Sequence, residues 1–151
     1  MKLKIVEGLL LMLAVPFTLS ASLGGDTTSV QADVAKMQGS LRSSSESSYT
    51  VHEIQMPTGV MVKEFVGQNG RVFAVSWAGP VHPDLRQLLG AYFDPYIQAV
   101  KELNAQRHGH GPVVIDKPGL VARVSGHMRA FQGRVYVPQL VPAGVHAEEL
   151  R

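Results

Sequence analysis

The 151-residue chain contains no cysteine. That absence removes disulfides, thiol nucleophiles, thiolate metal sites and lipid attachment through a cysteine from consideration. Recognisable catalytic signatures are missing too: there is no Gly-x-Ser-x-Gly, no His-Glu-x-x-His and no glycine-rich phosphate loop. Charge of one sign is also lacking, since 14 Lys+Arg face 12 Asp+Glu. A near-neutral chain has no long-range field to steer it toward nucleic acid, so none is expected as a partner. After the first 21 residues, no apolar run is long enough for a transmembrane helix.

What the chain does have is a marked beginning. Lys2 and Lys4 precede an apolar run from Ile5 to Phe17, interrupted by Glu7 and Gly8, and small residues follow to Ala21. This is the layout of a secretory signal peptide, with cleavage expected after Ala21 and with Ser20 or Ser22 as alternative end points. Without Lys2, Lys4 and Glu7, the remaining 12 basic and 11 acidic residues leave a net charge of +1. The expected location is the periplasm, or alternatively the exterior. Disulfides would be available there, so a cysteine-free domain must draw its stability from its core.

The chain reads as four segments: the leader over 1–21, a helix and serine-rich linker over 22–48, an α+β domain over 49–145, and a polar tail over 146–151. Asp26 to Ser29 can cap a helix whose stripe is Val30, Val34, Met37 and Leu41. Gly39 weakens its end, and Ser40 to Ser48 reads as a flexible linker. Loose attachment of the helix is the favoured reading, with docking on the domain as the alternative.

Strands are expected at 49–56, 60–66 and 71–77, separated by Pro57-Thr58-Gly59 and by Asn69-Gly70. A two-residue type I′ turn at Asn69-Gly70 would place Gln68 opposite Arg71, Val66 opposite Phe73, Glu64 opposite Val75 and Val62 opposite Trp77. The first turn places Ile54 opposite Val62 and His52 opposite Glu64. Together these registers gather Ile54, Met56, Val60, Val62, Val66, Phe73, Val75 and Trp77 on one face. A helix then starts at Pro83-Asp84 and keeps one apolar stripe from Leu85 to Leu103 across Pro95, which favours a single kinked helix over two separate ones. Short strands are expected at 113–115, 120–125, 127–131 and 134–137, with turns at 117–119 and 132–133. The sum is α+β: an antiparallel sheet covered by one long helix, with a short N-terminal helix.

Several strings have a family look: Ser22-Leu-Gly-Gly-Asp26, Tyr49-Thr-Val-His-Glu53, Gly70-Arg-Val-Phe-Ala-Val-Ser-Trp77, Leu88-Leu-Gly-Ala-Tyr-Phe93, Ser125-Gly-His-Met-Arg-Ala-Phe131 and Tyr136-Val-Pro138. On these the chain resembles the exported bacterial family known as domain of unknown function 2844. Two positions depart from its pattern, Ser125 standing for a glycine and Ser22 for an alanine. The resemblance implies export and a single domain, and it brings no activity with it.

Candidate chemistry is sparse. His127 and Arg129, two apart on an expected strand, would point to one face, with Arg123 and Arg134 on neighbouring strands. Such a cluster could grip a carboxylate, a phosphate or a sulfated glycan, or it could be the solvated side of a sheet. His52 opposite Glu64 is either a base or ligand pair or a hydrogen bond at the sheet edge. His108-x-His110 lies in a glycine-rich loop and lacks a third ligand, while Tyr92, Phe93, Tyr96 and Trp77 are an aromatic platform or plain core. No metal or cofactor is expected. The leading reading is a non-enzymatic binding or accessory protein of the cell envelope, meeting an envelope protein or a glycan. The alternatives are a hydrolase using His127 with a carboxylate brought near by folding, and a binder of anionic small molecules or glycans through Arg123, Arg129 and Arg134.

Overall fold

The computed structural model describes residues 23–107, 109 and 111–151. The expected leader over 1–21 and the two histidines His108 and His110 lie outside the described residues. Helix α1 (Thr27–Met37) is followed by strands β1 (Ser40–Ser45), β2 (Tyr49–Gln55), β3 (Met61–Gly67) and β4 (Val72–Gly79). Next come α2 (Leu85–Leu89), a 3₁₀ turn at Gly90–Tyr92, α3 (Phe93–Gln106), and strands β5 (Val113–Lys117), β6 (Leu120–His127) and β7 (Ala130–Tyr136). All seven strands form one antiparallel sheet in the order β1-β2-β3-β4-β7-β6-β5. The expected α+β architecture is the one observed.

The helices cover one face, called here the inner face. Ile54, Val62, Val75, Trp77 and Val135 from the sheet meet Val30 and Met37 of α1, Leu88 and Leu89 of α2, and Tyr96 and Ala99 of α3. The long helical run breaks at Gly90, whose φ of 50° and ψ of −120° are a glycine conformation, rather than at Pro95. Pro95 sits in the first turn of α3, where its missing N–H would have had no helical partner.

Helix α1 is docked, which corrects the loose reading. Asp26 caps it, accepting from the Thr28 and Ser29 amides at 2.9 and 3.1 Å. The preceding segment is tied down by the backbone: Leu23 N–H donates to Leu88 O, Gly24 N–H to Val72 O, and Val72 N–H to Gly25 O. The serine-rich stretch is not a linker over 40–45 but edge strand β1, paired with β2 from Ser40↔Gln55 to Ser45↔Thr50. Composition misled here because an edge strand is held by its backbone ladder, and its outward side chains are free to be polar. Leu41, counted in the helical stripe, instead faces Ile54 and packs on the inner core.

The hairpin between β3 and β4 contains two compensating departures. Gly70 N–H donates to Gly67 O and Gly67 N–H donates to Arg71 O, each at 2.9 Å, and of the Asn-Gly pair only Gly70 has a positive φ, 75°. The loop is therefore the three-residue Gln68-Asn69-Gly70 form and not a two-residue type I′ turn. Arg71 pairs with Gly67, one residue away from the expected Gln68. Farther along, between Val66 and Phe65 on β3, the partner on β4 jumps from Val72 to Ala74, so Phe73 is an extra, bulged residue. The bulge restores the expected register, and Glu64↔Val75, Val62↔Trp77, Ile54↔Val62 and His52↔Glu64 all occur.

The bulge moves Phe73 off the helix-covered face. On the outer face Phe73 joins Phe65 and Tyr49, with ring centroids 5.8 to 6.2 Å apart, and Val51 and Ala74 complete a second core. Ala147 and Leu150 close over it, assisted by Val141 and Val145. The expected polar tail over 146–151 is thus a strap that crosses the sheet.

The C-terminal strands are also redrawn. Gln132-Gly133 is no turn but the interior of β7, and the turn is Met128-Arg129 between His127 and Ala130. Gly133 is needed because the Trp77 indole lies where its Cβ would be, with Cζ2 pressed closest. Gly133→Ala is expected to destabilise the domain by about 1–3 kcal/mol through overpacking. Gly119→Ala, where a Cβ meets nothing within 4 Å, should leave the thermal midpoint nearly unchanged. Equal midpoints for the two variants would show that Trp77 does not press on Gly133.

Candidate functional site

Residues paired across a sheet share a face, so the register places one continuous row on the outer side: Arg42, Glu53, Lys63, Ser76, Arg134, Arg123 and Val114. In its first half Lys63 is paired with Glu53, with Lys63 Nζ 2.9 Å from Glu53 Oε1. In its second half Arg123 is paired with Asp116, while Arg134 has no acidic partner among the described residues. Arg134 and Arg123 stand directly opposite each other on β7 and β6, and like charges so placed destabilise a sheet. Arg134 Nη1 donates to Leu150 O at 2.9 Å, which anchors the strap, while its Nε is buried without a partner. Arg123 Nη1 donates to Ile115 O and Ala122 O at 3.0 and 3.2 Å, and its Nη2 lies 3.8 Å from Asp116.

These two arginines line a hollow of about 580 Å³ together with Lys63, Arg151 and the small residues Ser76 and Ser125. Among the described residues no Asp or Glu lines it. A second hollow of about 660 Å³ adjoins it, sharing Ala78, Pro112, Ser125 and Gln132, and it contains His127 and Arg129. The four arginine and histidine candidates therefore lie along one face, although not as expected. His127 ends β6, whereas Arg129 is at the hairpin tip with φ of 63°, so the two are not strand neighbours pointing the same way. The cause is the two-residue turn at Met128-Arg129, where the sequence reading ran a strand through. Ser125 and His127 do share the outer face, and Ser125 Oγ accepts from Gln132 Nε2 at 3.3 Å. Among the described residues no carboxylate side chain lines the second hollow.

The inner face has its own polar group. His52 and Glu64 are opposite, as expected, but each has another partner. His52 Nδ1 is 2.7 Å from Ser43 Oγ of the edge strand, and burial lowers its pKa. Glu64 is wholly buried beneath Asp33 of α1, which is also wholly buried, and Gln87 Nε2 donates to Asp33 Oδ1. The remaining oxygen of Asp33 and both of Glu64 have no other donor among the described residues. Two adjacent buried carboxylates cannot both ionise, and a proton held between them joins one oxygen of each. Burial first, and then the hydrogen bond and charge of Asp33, push Glu64 up to about 9. Burial likewise raises Asp33, offset by its hydrogen bonds to Glu64 and Gln87.

Asp33 escaped the sequence reading, yet its signal was available. It stands three residues after Val30 and four before Met37, a charged residue on the apolar stripe of α1. Among the aromatic candidates, Trp77 and Tyr96 are buried, and Tyr92 and Phe93 pack against the same inner core. Among the described residues no three His, Cys, Asp or Glu side chains converge as a metal site.

The carboxyl pair has a consequence for stability. Between the ordinary Glu value of 4.5 and about 9, folded Glu64 holds a proton that the unfolded chain has released. Stability is therefore fullest below the lower value and falls as pH rises through the window, by at most about 1.4 kcal/mol per pH unit for one proton. Glu64→Gln keeps a donor for Asp33 and removes the titration. Urea midpoints at pH 5, 7 and 9 should fall for the wild type and stay flatter for the variant, and parallel profiles would rule out the shared proton.

Comparison with known proteins adds family membership. Neither a curated protein nor a solved structure matches the chain. A family model does, over residues 19–150, and its description is protein of unknown function (DUF2844). That span takes in both sheet faces, the Asp33–Glu64 pair and the strap, and the chain belongs to this family of proteins of unknown function.

Proposed function

We propose that the protein is exported to the cell envelope and acts there as a binding or accessory protein, holding an anionic ligand between Arg123 and Arg134. The observation that carries this reading is the direct cross-strand opposition of the two arginines inside one hollow, Arg134 being without an acidic partner among the described residues. Such an arrangement costs stability when empty, and an anion seated between the guanidinium groups would turn the repulsion into attraction. Guanidinium forks suit carboxylate, sulfate and phosphate oxygens. Binding is favoured over hydrolysis because the reading built on His127 needs a carboxylate beside it, and among the described residues none lines the hollow around His127. Export rests on the first 21 residues, whose charged start, apolar middle and small-residue exit match a signal peptide. Among the described residues no helix is long and apolar enough to cross a membrane.

Two measurements test the parts separately. N-terminal sequencing of the protein recovered from an envelope fraction should find a start at Ser22, or within a residue or two of it; recovery of an intact Met1 form from the cytoplasm alone would remove export. In thermal denaturation at fixed ionic strength, replacing chloride with a few millimolar sulfate should raise the wild-type midpoint. Arg123→Gln should lose most of that rise, while its own midpoint without sulfate stays equal or climbs slightly, as relief of a like-charge cross-strand pair worth about 0.2–1 kcal/mol predicts. The same sulfate response in both proteins would defeat the binding reading.

A further inference from the structure

If the arginine pair is an anion site, the shape of the outer face around it narrows the kind of anion, and the inference rests on that site. The two hollows run into each other along β7 and β6. Three cross-strand rows floor them: Ser76–Arg134–Arg123, then Ala78–Gln132–Ser125, then the end of β7 and β6, where Ala130 faces His127 and Arg129 stands at the tip. The trough is therefore basic at both ends, with an uncharged hydrogen-bonding stretch between. From the Arg134/Arg123 row to the Ala130/His127 row is four residues of strand, or roughly 13 Å. One sulfate or phosphate cannot touch both ends.

The chemistry of the middle selects among extended anions. Gln132 and Ser125 offer an amide and a hydroxyl, and Ala78 gives them room. A lipid would need an unbroken apolar bed for its chains, whereas here the apolar Ala78, Pro112 and Val113 are interspersed with Ser76, Ser125 and Gln132. A peptide would look for free backbone groups, as strand addition at a sheet edge requires, but β4, β7 and β6 are all paired on both sides. A sugar chain needs neither, since its hydroxyls match amide and hydroxyl partners and its acidic groups match the basic ends. We propose that the trough binds a linear acidic oligosaccharide, with one carboxylate or sulfate at Arg123 and Arg134 and a second near His127 and Arg129.

Titration calorimetry on the full exported chain tests this with galacturonic acid, its dimer, tetramer and hexamer, a sulfated oligosaccharide, inorganic sulfate and an oligoglutamate. Affinity should rise at least tenfold from monomer to hexamer. In Arg129→Asn, which tolerates the positive φ, that rise should shrink to threefold or less, and in Arg123→Gln binding should weaken at every length. A sulfated chain tighter than the uronates would identify the acidic group as sulfate and supports the proposal. Sulfate that binds while hexamer and monomer bind equally overturns the extended ligand and leaves the arginine site standing. An oligoglutamate tighter than any sugar overturns it in favour of a peptide, and the absence of binding by every anion, sulfate included, overturns both this inference and the anion site beneath it.

Discussion

One extra residue in β4 governs how the sheet is used. Phe73 is bulged between Val72 and Ala74, and on either side of it the alternation of faces is reset. Val72 is thereby directed to the inner core and Phe73 to the outer one, and both are completely buried. Without the bulge, alternation would put Phe73 under the helices and Val72 against the strap, leaving the Tyr49–Phe65 pair without its third ring. The outer core would then offer Ala147 and Leu150 less to pack on. Because Leu150 also takes the hydrogen bond from Arg134, the strap that closes one end of the basic hollow depends on that same residue. The candidate site and the core behind it are coupled through a backbone irregularity near the start of β4.

The inner face shows a second constraint, of polar kind. A helix docked by apolar contacts alone could slide along a sheet, whereas Asp33 on Glu64, with Gln87 of α2 donating to Asp33, fixes α1, α2 and β3 in one arrangement. Buried polar groups of this sort add more to specificity than to net stability, since removing the carboxyls from water costs about as much as their hydrogen bonds return. The geometry joins parts distant in sequence, for Asp33 and Gln87 are 54 residues apart. Residues 23–45, assigned on composition to a loosely held segment and a linker, belong to the body of the fold by way of this contact and the β1–β2 ladder.

How legible each feature is in the sequence depends on what sets it. The meander was legible because burial of one face specifies register, and Ile54, Val62 and Trp77 admit a single alignment. The turn type and the bulge are not legible there, and they compensate each other: the longer loop shifts the register by one residue and Phe73 shifts it back. Boundaries failed where backbone pairing outweighs side-chain character, as in serine-rich β1, and where a glycine has two possible uses. Gly133 looks like a turn residue by composition, but it is glycine because Trp77 occupies the space of a Cβ, a fact that resides in another strand. The arginine and histidine candidates were found as a group, while their arrangement required the true position of the turn, at Met128-Arg129.

Placing Arg123 opposite Arg134 bears on why the hollow is basic at all. A sheet selected only for stability would alternate charges along this row, as Arg42, Glu53 and Lys63 do. The alternation stops at Ser76, and the next two positions carry the same sign. Arg134 has a structural task, since it holds the strap at Leu150, and Arg123 does hydrogen-bond carbonyls of β5 and β6. Those tasks account for a donor at each position, and Asp116 balances Arg123 at 3.8 Å, but Arg134 keeps a permanent charge with no acidic partner among the described residues, where a neutral glutamine could also donate to a carbonyl. Arg129 presents the same difficulty at the far end of the trough: a long cationic side chain at positive φ, where glycine or asparagine would be less strained. Local costs at both ends of one trough, each involving a guanidinium group, are what the extended anion proposed for this trough accounts for.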